Sequence, residues 1–260
     1  SLKLIKKYED YLAEENNIIG VGLGIHGLVD PEAGKSLFTP HFEWGELNIK
    51  EILAKKCDYP IFIDNDVRMM AAGEIARGRD NFVFINTGSG IGAALVFKSQ
   101  LYYGNNYTAG EFGHMKITDD GPSCHCGKKG CLEALSSKES IINRYKKLKG
   151  LDKKLEFKEI VDNYQQKESE AQAVINDALK YFARAISDLV NILNPEAVII
   201  GGLFAEYENL FIEPLYQMVS EEALNQAVKD LKISTPYYSS YAGACGAAEK
   251  VLNNLFEFDL

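Results

Sequence analysis

The stretch that decides the fold lies at residues 114–133 and reads His114-Met-Lys-Ile-Thr-Asp-Asp-Gly-Pro-Ser-Cys124-His-Cys126-Gly-Lys-Lys-Gly-Cys131-Leu-Glu133. Gly127 and Gly130 lie between its second and third cysteines and let the backbone fold back, so that three thiolates can converge on one point. A tetrahedral Zn²⁺ takes four ligands, and a histidine ten residues before the first cysteine can supply the fourth. The spacing therefore predicts a Cys₃His zinc site formed by His114, Cys124, Cys126 and Cys131.

A closed four-ligand zinc site is structural, so the metal is expected to make a loop rigid and to perform no chemistry. Two alternatives are a chance cluster of free thiols and a disulfide. His125 lies between two cysteines and is expected to face away from them in a tight turn, outside the ligand set.

Composition limits the classes of function. The 260-residue chain is 46% hydrophobic and can bury one large core or two smaller lobes. With 28 basic and 37 acidic residues its formal charge is −9, and such a surface repels phosphate backbones, so this chain is not expected to bind DNA by itself. It has no apolar run of membrane-spanning length, and its first residues lack signal-peptide character, so a cytoplasmic location is expected.

Hydrophobic periodicity predicts strands alternating with helices, which is typical of an α/β chain. Strands are expected at residues 18–25, 60–63, 82–86, 91–97, 111–117 and 197–200. Helices are expected at Lys3–Glu15 and at residues 66–77, 168–193 and 243–255. The helix at 168–193 has the strongest apolar stripe, formed by Val174, Ile175, Ala178, Leu179, Phe182, Ala185, Ile186, Leu189 and Val190.

The motif Gly110-Glu-Phe-Gly-His114, followed by the CxCGxxGCxE pattern, resembles the ROK family of sugar-responsive transcriptional repressors and sugar kinases. Further matches are Asn65-Asp66, Thr87-Gly-Ser-Gly-Ile-Gly92 and Ile200-Gly201-Gly202. The resemblance implies a two-lobed, actin-like ATPase (ribonuclease H-like) fold with an interlobe cleft. It implies a first lobe at residues 1–77, incomplete at its N-terminus and joined by a terminal helix at 243–260, and a second lobe at 78–242 that carries the zinc loop 114–131.

The same resemblance assigns the sugar-binding residues Gly27, Asn65, Asp66, Glu111, His114 and Glu133. Taken alone, Asp66 is better explained as a helix cap, and the two glutamates as solvated surface. If zinc takes one nitrogen of His114, the other can face a sugar hydroxyl, so that a structural ion orients a binding residue. In related kinases the residue matching Asp66 is the catalytic general base.

Two positions depart from the family pattern. His26 stands where a proline is usual, which removes a fixed φ and adds a titratable donor at the rim of the site. Arg68 stands where an asparagine is usual, and this long cation could pair with Asp66, holding the carboxylate ionised but competing with its role as a base.

The choice between repressor and kinase depends on a missing motif. Related kinases carry an Asp-x-Gly-Gly-Thr phosphate loop, which occurs nowhere in this sequence, so phosphoryl transfer is expected to be crippled. Under the kinase alternative, an ATP-dependent hexose or amino-sugar kinase would use Mg²⁺ and hold the nucleotide phosphates through Thr87, Gly88, Gly90, Gly201 and Gly202.

The resemblance favours a sugar-binding effector domain of a transcriptional regulator. Its ligand is expected to be a sugar or sugar derivative that closes one lobe on the other and thereby controls an N-terminal helix-turn-helix. DNA contact would pass through that helix-turn-helix, which this chain lacks. Relatives of this kind are usually dimers, so a homodimer is expected.

Overall fold

The structure is a computed structural model that describes residues 18–39 and 45–256. Its strands are β1 (Val21–Ile25), β2 (Leu28–Asp30), β3 (Lys35–Phe38), β4 (Leu47–Asn48), β5 (Ile61–Asn65), β6 (Phe82–Thr87), β7 (Ile91–Phe97), β8 (Gln100–Tyr102), β9 (Ala197–Gly202) and β10 (Lys232–Ser234). Its α-helices are α1 (Ile49–Ala54), α2 (Asp66–Ile75), α3 (Leu132–Ser136), α4 (Lys138–Lys149), α5 (Phe157–Gln165), α6 (Ser169–Leu193), α7 (Leu203–Glu206), α8 (Glu208–Glu222), α9 (Asn225–Val228) and α10 (Ala242–Leu255). The helix predicted at Lys3–Glu15 lies outside the described residues.

The chain divides into two compact units. Unit 1 comprises Ser1–Asp80, Leu95–Ala109 and Ser240–Leu260, and unit 2 comprises Asn81–Ala94 and Gly110–Ser239. Within the described ranges, no helix combines the length and the apolar character that crossing a membrane requires.

Unit 1 is built on two parallel strands, β1 and β5, whose register ends with Ile25 opposite Asn65. Strands β2, β3 and β4 form a separate antiparallel sheet. Helices α2 and α10 pack closely together. Residues 95–109, which the sequence-based division placed in the second lobe, group with unit 1. There the Tyr103 hydroxyl donates to Asp64 at 3.0 Å.

Unit 2 is built around β6 and β9, which are parallel and fully paired from Phe82–Ala197 to Thr87–Gly202. They belong to a five-stranded sheet of order β10-β9-β6-β7-β8, in which the hairpin formed by β8 and the end of β7 groups with unit 1. All nine residues of the predicted apolar stripe on α6 are buried. The helix ends at Leu193, as predicted, and Asn194 follows it in the left-handed conformation with φ 44°, ahead of Pro195.

One predicted strand, at residues 111–117, is wrong. The structure has a 3₁₀ turn at Phe112–His114 in this place. Gly110 has φ 92°, and a Cβ atom there would lie 2.1 Å from the carbonyl oxygen of Ala93. The chain therefore turns sharply where it meets β7, and an extended conformation cannot continue.

A short turn at residues 88–90 joins β6 to β7. Neither Gly88 nor Gly90 has a positive φ. A Cβ atom on Gly90 would instead lie 2.9 Å from the Oε2 atom of Glu133, so this glycine makes room for a carboxylate.

Candidate functional site

The metal loop, residues 114–131, is a compact turn closed by its own backbone. The Cys124 amide donates to the carbonyl of Lys128 at 2.8 Å, and the Gly127 amide donates back to the carbonyl of Cys124 at 3.0 Å. Gly127 and Gly130 have φ values of 83° and 71°, as their predicted role requires. The loop therefore returns the last cysteine to the first two.

The four predicted ligands come together. One ligand atom from each of His114, Cys124, Cys126 and Cys131 lies within 4.8 Å of all the others. The Sγ atoms of Cys126 and Cys131 are 3.7 Å apart, and the Cys124 Sγ is 3.6 Å from the Nδ1 atom of His114. Tetrahedral zinc with ordinary bond lengths requires about 3.8 Å between two sulfurs and about 3.6 Å between sulfur and nitrogen. The donor set fits Zn²⁺, with Nδ1 as the ligand nitrogen and His125 outside the set.

Two of the three thiols of this loop, those of Cys124 and Cys131, are buried, and that of Cys126 is exposed. Burial raises the pKa of the Cys124 thiol to about 12. Burial, together with the neighbouring Cys126 thiol, also raises the pKa of Cys131. A metal binds thiolates, so an ion entering this loop has to displace protons from both groups.

The second nitrogen of His114 points toward a predicted sugar-binding residue. Its Nε2 atom lies 3.6 Å from the Oε2 atom of Glu111, whose side chain is 48% exposed. This distance is too long for a direct hydrogen bond and leaves the two polar atoms side by side. A hydroxyl group that contacts both can therefore accept from one and donate to the other.

Glu133 connects the metal loop with β7. It lies in the first turn of α3, and its Oε2 atom accepts a hydrogen bond of 3.0 Å from the Ile91 amide. Its Oε1 atom is 3.9 Å from the Cys124 Sγ. Within unit 2 the structure thus brings the predicted residues Glu111, His114 and Glu133 around the metal ligands.

The polar corner, defined as Gly27, Asn65 and Asp66, lies in unit 1 where β1 and β5 end. The Asn65 Oδ1 atom accepts from the amides of Val67 and Arg68 at 2.9 and 3.1 Å, and its Nδ2 atom donates to the Gly27 carbonyl at 3.0 Å. Asn65 is therefore the cap of α2, a role that sequence analysis gave to Asp66. The correction follows from the backbone, since Asn65 keeps the extended conformation and Asp66 is already helical.

Asp66 faces His26, the residue that replaces the usual proline. Its Oδ2 atom lies 3.7 Å from the His26 Nδ1 atom, and both side chains are partly exposed. Its other oxygen accepts from the Val67 amide at 3.0 Å. The carboxylate is thus held in place by one oxygen and presents the other beside an imidazole.

Arg68 does not pair with Asp66, the partner that the sequence suggested. Its Nε atom donates to the Oδ1 atom of Asp64 at 2.6 Å, and both side chains are buried. The pairing of Arg68 with Asp64 was not predicted from the sequence, although a spacing of four residues is the usual signal for such a pair.

The residues assigned to nucleotide phosphates lie together in unit 2, where β6 and β9 end. The Thr87 hydroxyl donates to the Gly201 carbonyl at 2.8 Å and accepts from the Phe204 amide at 3.1 Å. The Gly88 amide donates to the Gly90 carbonyl at 2.9 Å. Gly202 has φ 70° and begins α7. The hydroxyl and one of the amides proposed for phosphate binding are thus already used within the fold.

The fold and the metal loop together define a class, the actin-like α/β proteins with a Cys₃His loop that include sugar-dependent regulators and sugar kinases. Residues 2–253 match the ROK family, and the chain belongs to that family. The solved structure of a ROK family transcriptional regulator, described as a homolog of the Escherichia coli MLC protein, superimposes with a TM-score of 0.85 at 27% identity. The match covers 96% of this chain and 66% of that one.

Curated relatives include regulators and enzymes. The xylose repressor of Caldicellulosiruptor bescii is 29% identical over 256 residues, covering 93% of this chain and 64% of the repressor. The glucokinase of Thermotoga maritima is 31% identical over 245 residues, covering 88% of this chain and 77% of the kinase. The chain thus spans slightly less than two thirds of the length of the xylose repressor.

Proposed function

We propose that this chain is the sugar-binding effector region of a ROK transcriptional regulator. The observation that carries the proposal is the orientation of His114. One ring nitrogen belongs to the metal-ligand set, and the other lies beside Glu111. A residue fixed in this way can present a polar atom to a small ligand at a defined angle.

The metal loop is proposed to hold Zn²⁺ through His114, Cys124, Cys126 and Cys131. Three thiolates and one imidazole are the donors that zinc prefers, and four protein ligands leave no open position for chemistry. When bound, the metal supplies rigidity to the loop. The chain's own residues then provide the contacts, with Glu111 and Glu133 as acceptors and His114 as a donor or acceptor.

The polar corner is proposed to supply the remaining sugar contacts. The Asp66 carboxylate can accept from sugar hydroxyls, and one N–H of the Asn65 amide is left over after the bond to the Gly27 carbonyl among the described contacts. Sugars carry hydroxyls that both donate and accept, so a set of carboxylates, an amide and an imidazole suits them. The named relatives suggest a pentose such as xylose or a hexose such as glucose.

In the regulator, sugar binding is proposed to be the signal that changes DNA affinity through a DNA-binding segment outside this chain. The formal charge of −9 fits a region that does not itself contact phosphate backbones. A cytoplasmic homodimer, the usual state of such regulators, remains part of this proposal.

A sugar kinase is the second candidate, favoured by the glucokinase relative and by Asp66 as a possible general base. One observation counts against it: the Thr87 hydroxyl, assigned to the nucleotide phosphates, is committed to Gly201 and Phe204. Phosphoryl transfer depends on positioned phosphate ligands, which this contact reduces.

A paired assay tests the two candidates. Titration calorimetry with D-xylose, D-glucose and an amino sugar should show saturable binding of at least one of them. A coupled assay for ADP should show no sugar-dependent turnover with ATP and Mg²⁺. Sugar-dependent ADP release that Asp66→Asn abolishes would replace the regulator with the kinase, and no binding of any sugar in the panel by zinc-loaded protein would remove both.

A further inference from the structure

A buried charge network lies directly behind the polar corner in unit 1. Asp64, the residue before Asn65, is fully buried, and its Oδ1 atom accepts from the Asn65 amide at 2.8 Å and from the Arg68 Nε at 2.6 Å. Its Oδ2 atom accepts from the Tyr103 hydroxyl at 3.0 Å and lies 3.6 Å from the Lys250 Nζ. The carboxylate therefore contacts four groups from three separate parts of the chain.

The Arg68 guanidinium links this network to β2, the strand that follows Gly27. Its Nη2 atom donates to the Val29 carbonyl at 2.8 Å, and its Nη1 atom donates to the Tyr107 carbonyl at 3.2 Å. Its Cζ atom lies 4.9 Å from the centre of the Tyr103 ring, a cation–π distance. Arginine can make all these contacts because its planar group presents five donors in fixed directions.

The two sides of the corner are thus tied to each other twice. Asn65 donates to the carbonyl of Gly27, and Arg68 donates to the carbonyl of Val29, two residues further along the same segment. Asp64 orients both donors, because it accepts from the Asn65 backbone and from the Arg68 side chain. The ion pair therefore sets the position of the segment 27–29 relative to the start of α2.

Stability alone does not account for such a pair. Desolvating two charges opposes their attraction, and replacing a buried ion pair by apolar residues of similar size is often neutral or stabilising. The Tyr103 hydroxyl adds no charge to the network near neutral pH, because burial and the neighbouring Asp64 carboxylate raise its pKa. What an apolar pair cannot reproduce is the directed hydrogen bonding to Asn65 and Val29.

We infer that Asp64 and Arg68 are positioning residues that hold Gly27, Asn65 and Asp66 in the geometry that binds the sugar. The inference rests on the proposed sugar-binding function. Arg68 is the position at which this chain departs from the usual family asparagine, so the device belongs to this chain's own residues.

The test uses two variants of the full chain. Asp64→Leu with Arg68→Met replaces the ion pair by apolar side chains, and Arg68→Lys keeps the charge but loses the fork of donors. The expected result for each is a folded protein whose sugar affinity, measured by calorimetry, falls about tenfold or more. The control is Glu51→Gln, which breaks an exposed ion pair with Lys55 of the same four-residue spacing in unit 1.

Hydrogen exchange provides a second readout that does not depend on sugar. The amides of Val67 and Arg68, which Asn65 caps, should exchange faster in both variants, while the amides of α6 keep their wild-type protection. If the wild-type protein binds no sugar but the amides still exchange faster in both variants, the proposed function is contradicted and the positioning role is retained. Wild-type affinity and wild-type exchange in a folded Arg68→Lys variant would overturn the inference.

Discussion

The Oε2 atom of Glu133 accepts a hydrogen bond of 3.0 Å from the backbone amide of Ile91. This bond holds the Glu133 carboxylate, two residues after Cys131, against β7, the strand that precedes the metal loop. Gly90 allows the contact, because a side chain there would collide with the same oxygen. The orientation of Glu133 therefore depends on two segments that the sequence alone does not bring together.

Replacement of Glu133 by alanine is expected to weaken sugar binding by about 10- to 100-fold, the effect of losing an acceptor for one or two hydroxyls. Zinc content should stay at one ion per chain, because Glu133 is not among the four ligands. Calorimetry and metal analysis of the same sample measure both quantities. Glu139→Ala removes an acidic residue from the first turn of the next helix and should change neither. Unchanged affinity in Glu133→Ala would show that this carboxylate only supports β7.

Loss of one metal ligand tests the link between the metal and the sugar. Cys126→Ser is expected to release zinc and to lower sugar affinity by about 10- to 100-fold, since His114 is no longer held in place. The matched control is Cys245→Ser, a half-buried free cysteine in α10, outside the ligand set. Metal analysis and calorimetry would contradict the role of the loop if Cys126→Ser kept its zinc, or lost zinc and bound sugar normally.

Zinc affinity should depend steeply on pH. Burial raises the pKa of the Cys124 thiol to about 12, and that of Cys131 is also raised, so both are protonated in the metal-free loop near neutral pH. Binding must release at least these two protons, and apparent affinity therefore rises with pH, by about 100-fold or more between pH 7 and pH 8. Competition with a chelator of known affinity at the two pH values measures this slope. Release of fewer than one proton per bound zinc ion would mean that the thiols are already ionised before the metal binds.

The parts of the fold that depend on periodicity were predictable from the sequence. Helix α6 was expected at residues 168–193 and is observed at Ser169–Leu193, because its apolar residues repeat with the helical period over 25 residues. The ligand set of the metal loop was equally accessible, since cysteine spacing and two glycines restrict the backbone to few conformations. Local pattern is sufficient where neighbours in sequence are also the partners in space.

Contacts between distant segments were not predictable in this way. Nothing in the local sequence marks Asp64 as the centre of a buried network, because the Tyr103 hydroxyl that donates to it lies 39 residues away. The segment 111–117 was predicted as a strand, yet the close approach of Gly110 to Ala93 bends the chain where this segment begins. Two adjacent residues, Asn65 and Asp66, were both able to cap α2, and only the backbone conformation decided between them.

The last prediction concerns the turn at His26-Gly27 and compares Gly27 with Gly78, a second glycine of unit 1. Both have a positive φ, but of the two only Gly27 would also place a Cβ atom against another part of the chain. Gly27 has φ 96°, and a Cβ atom there would lie 2.2 Å from the Phe38 carbonyl oxygen. Gly78 has a similar φ of 81° and no heavy atom within 4 Å of such a Cβ. Gly78→Ala therefore carries strain alone, about 1 kcal/mol, while Gly27→Ala adds the overlap and should cost about 3 kcal/mol or more.

Urea unfolding of both variants measures the difference in stability, and calorimetry measures its consequence for the ligand. Relief of the overlap has to move the Gly27 carbonyl, which Asn65 holds, so Gly27→Ala should also lose sugar affinity while Gly78→Ala retains it. Equal stability losses in the two variants would mean that the overlap at residue 27 is relieved at no further cost in stability. In that event the position of Gly27 would not be fixed by the fold, and its proposed contact with the sugar would lose its structural basis.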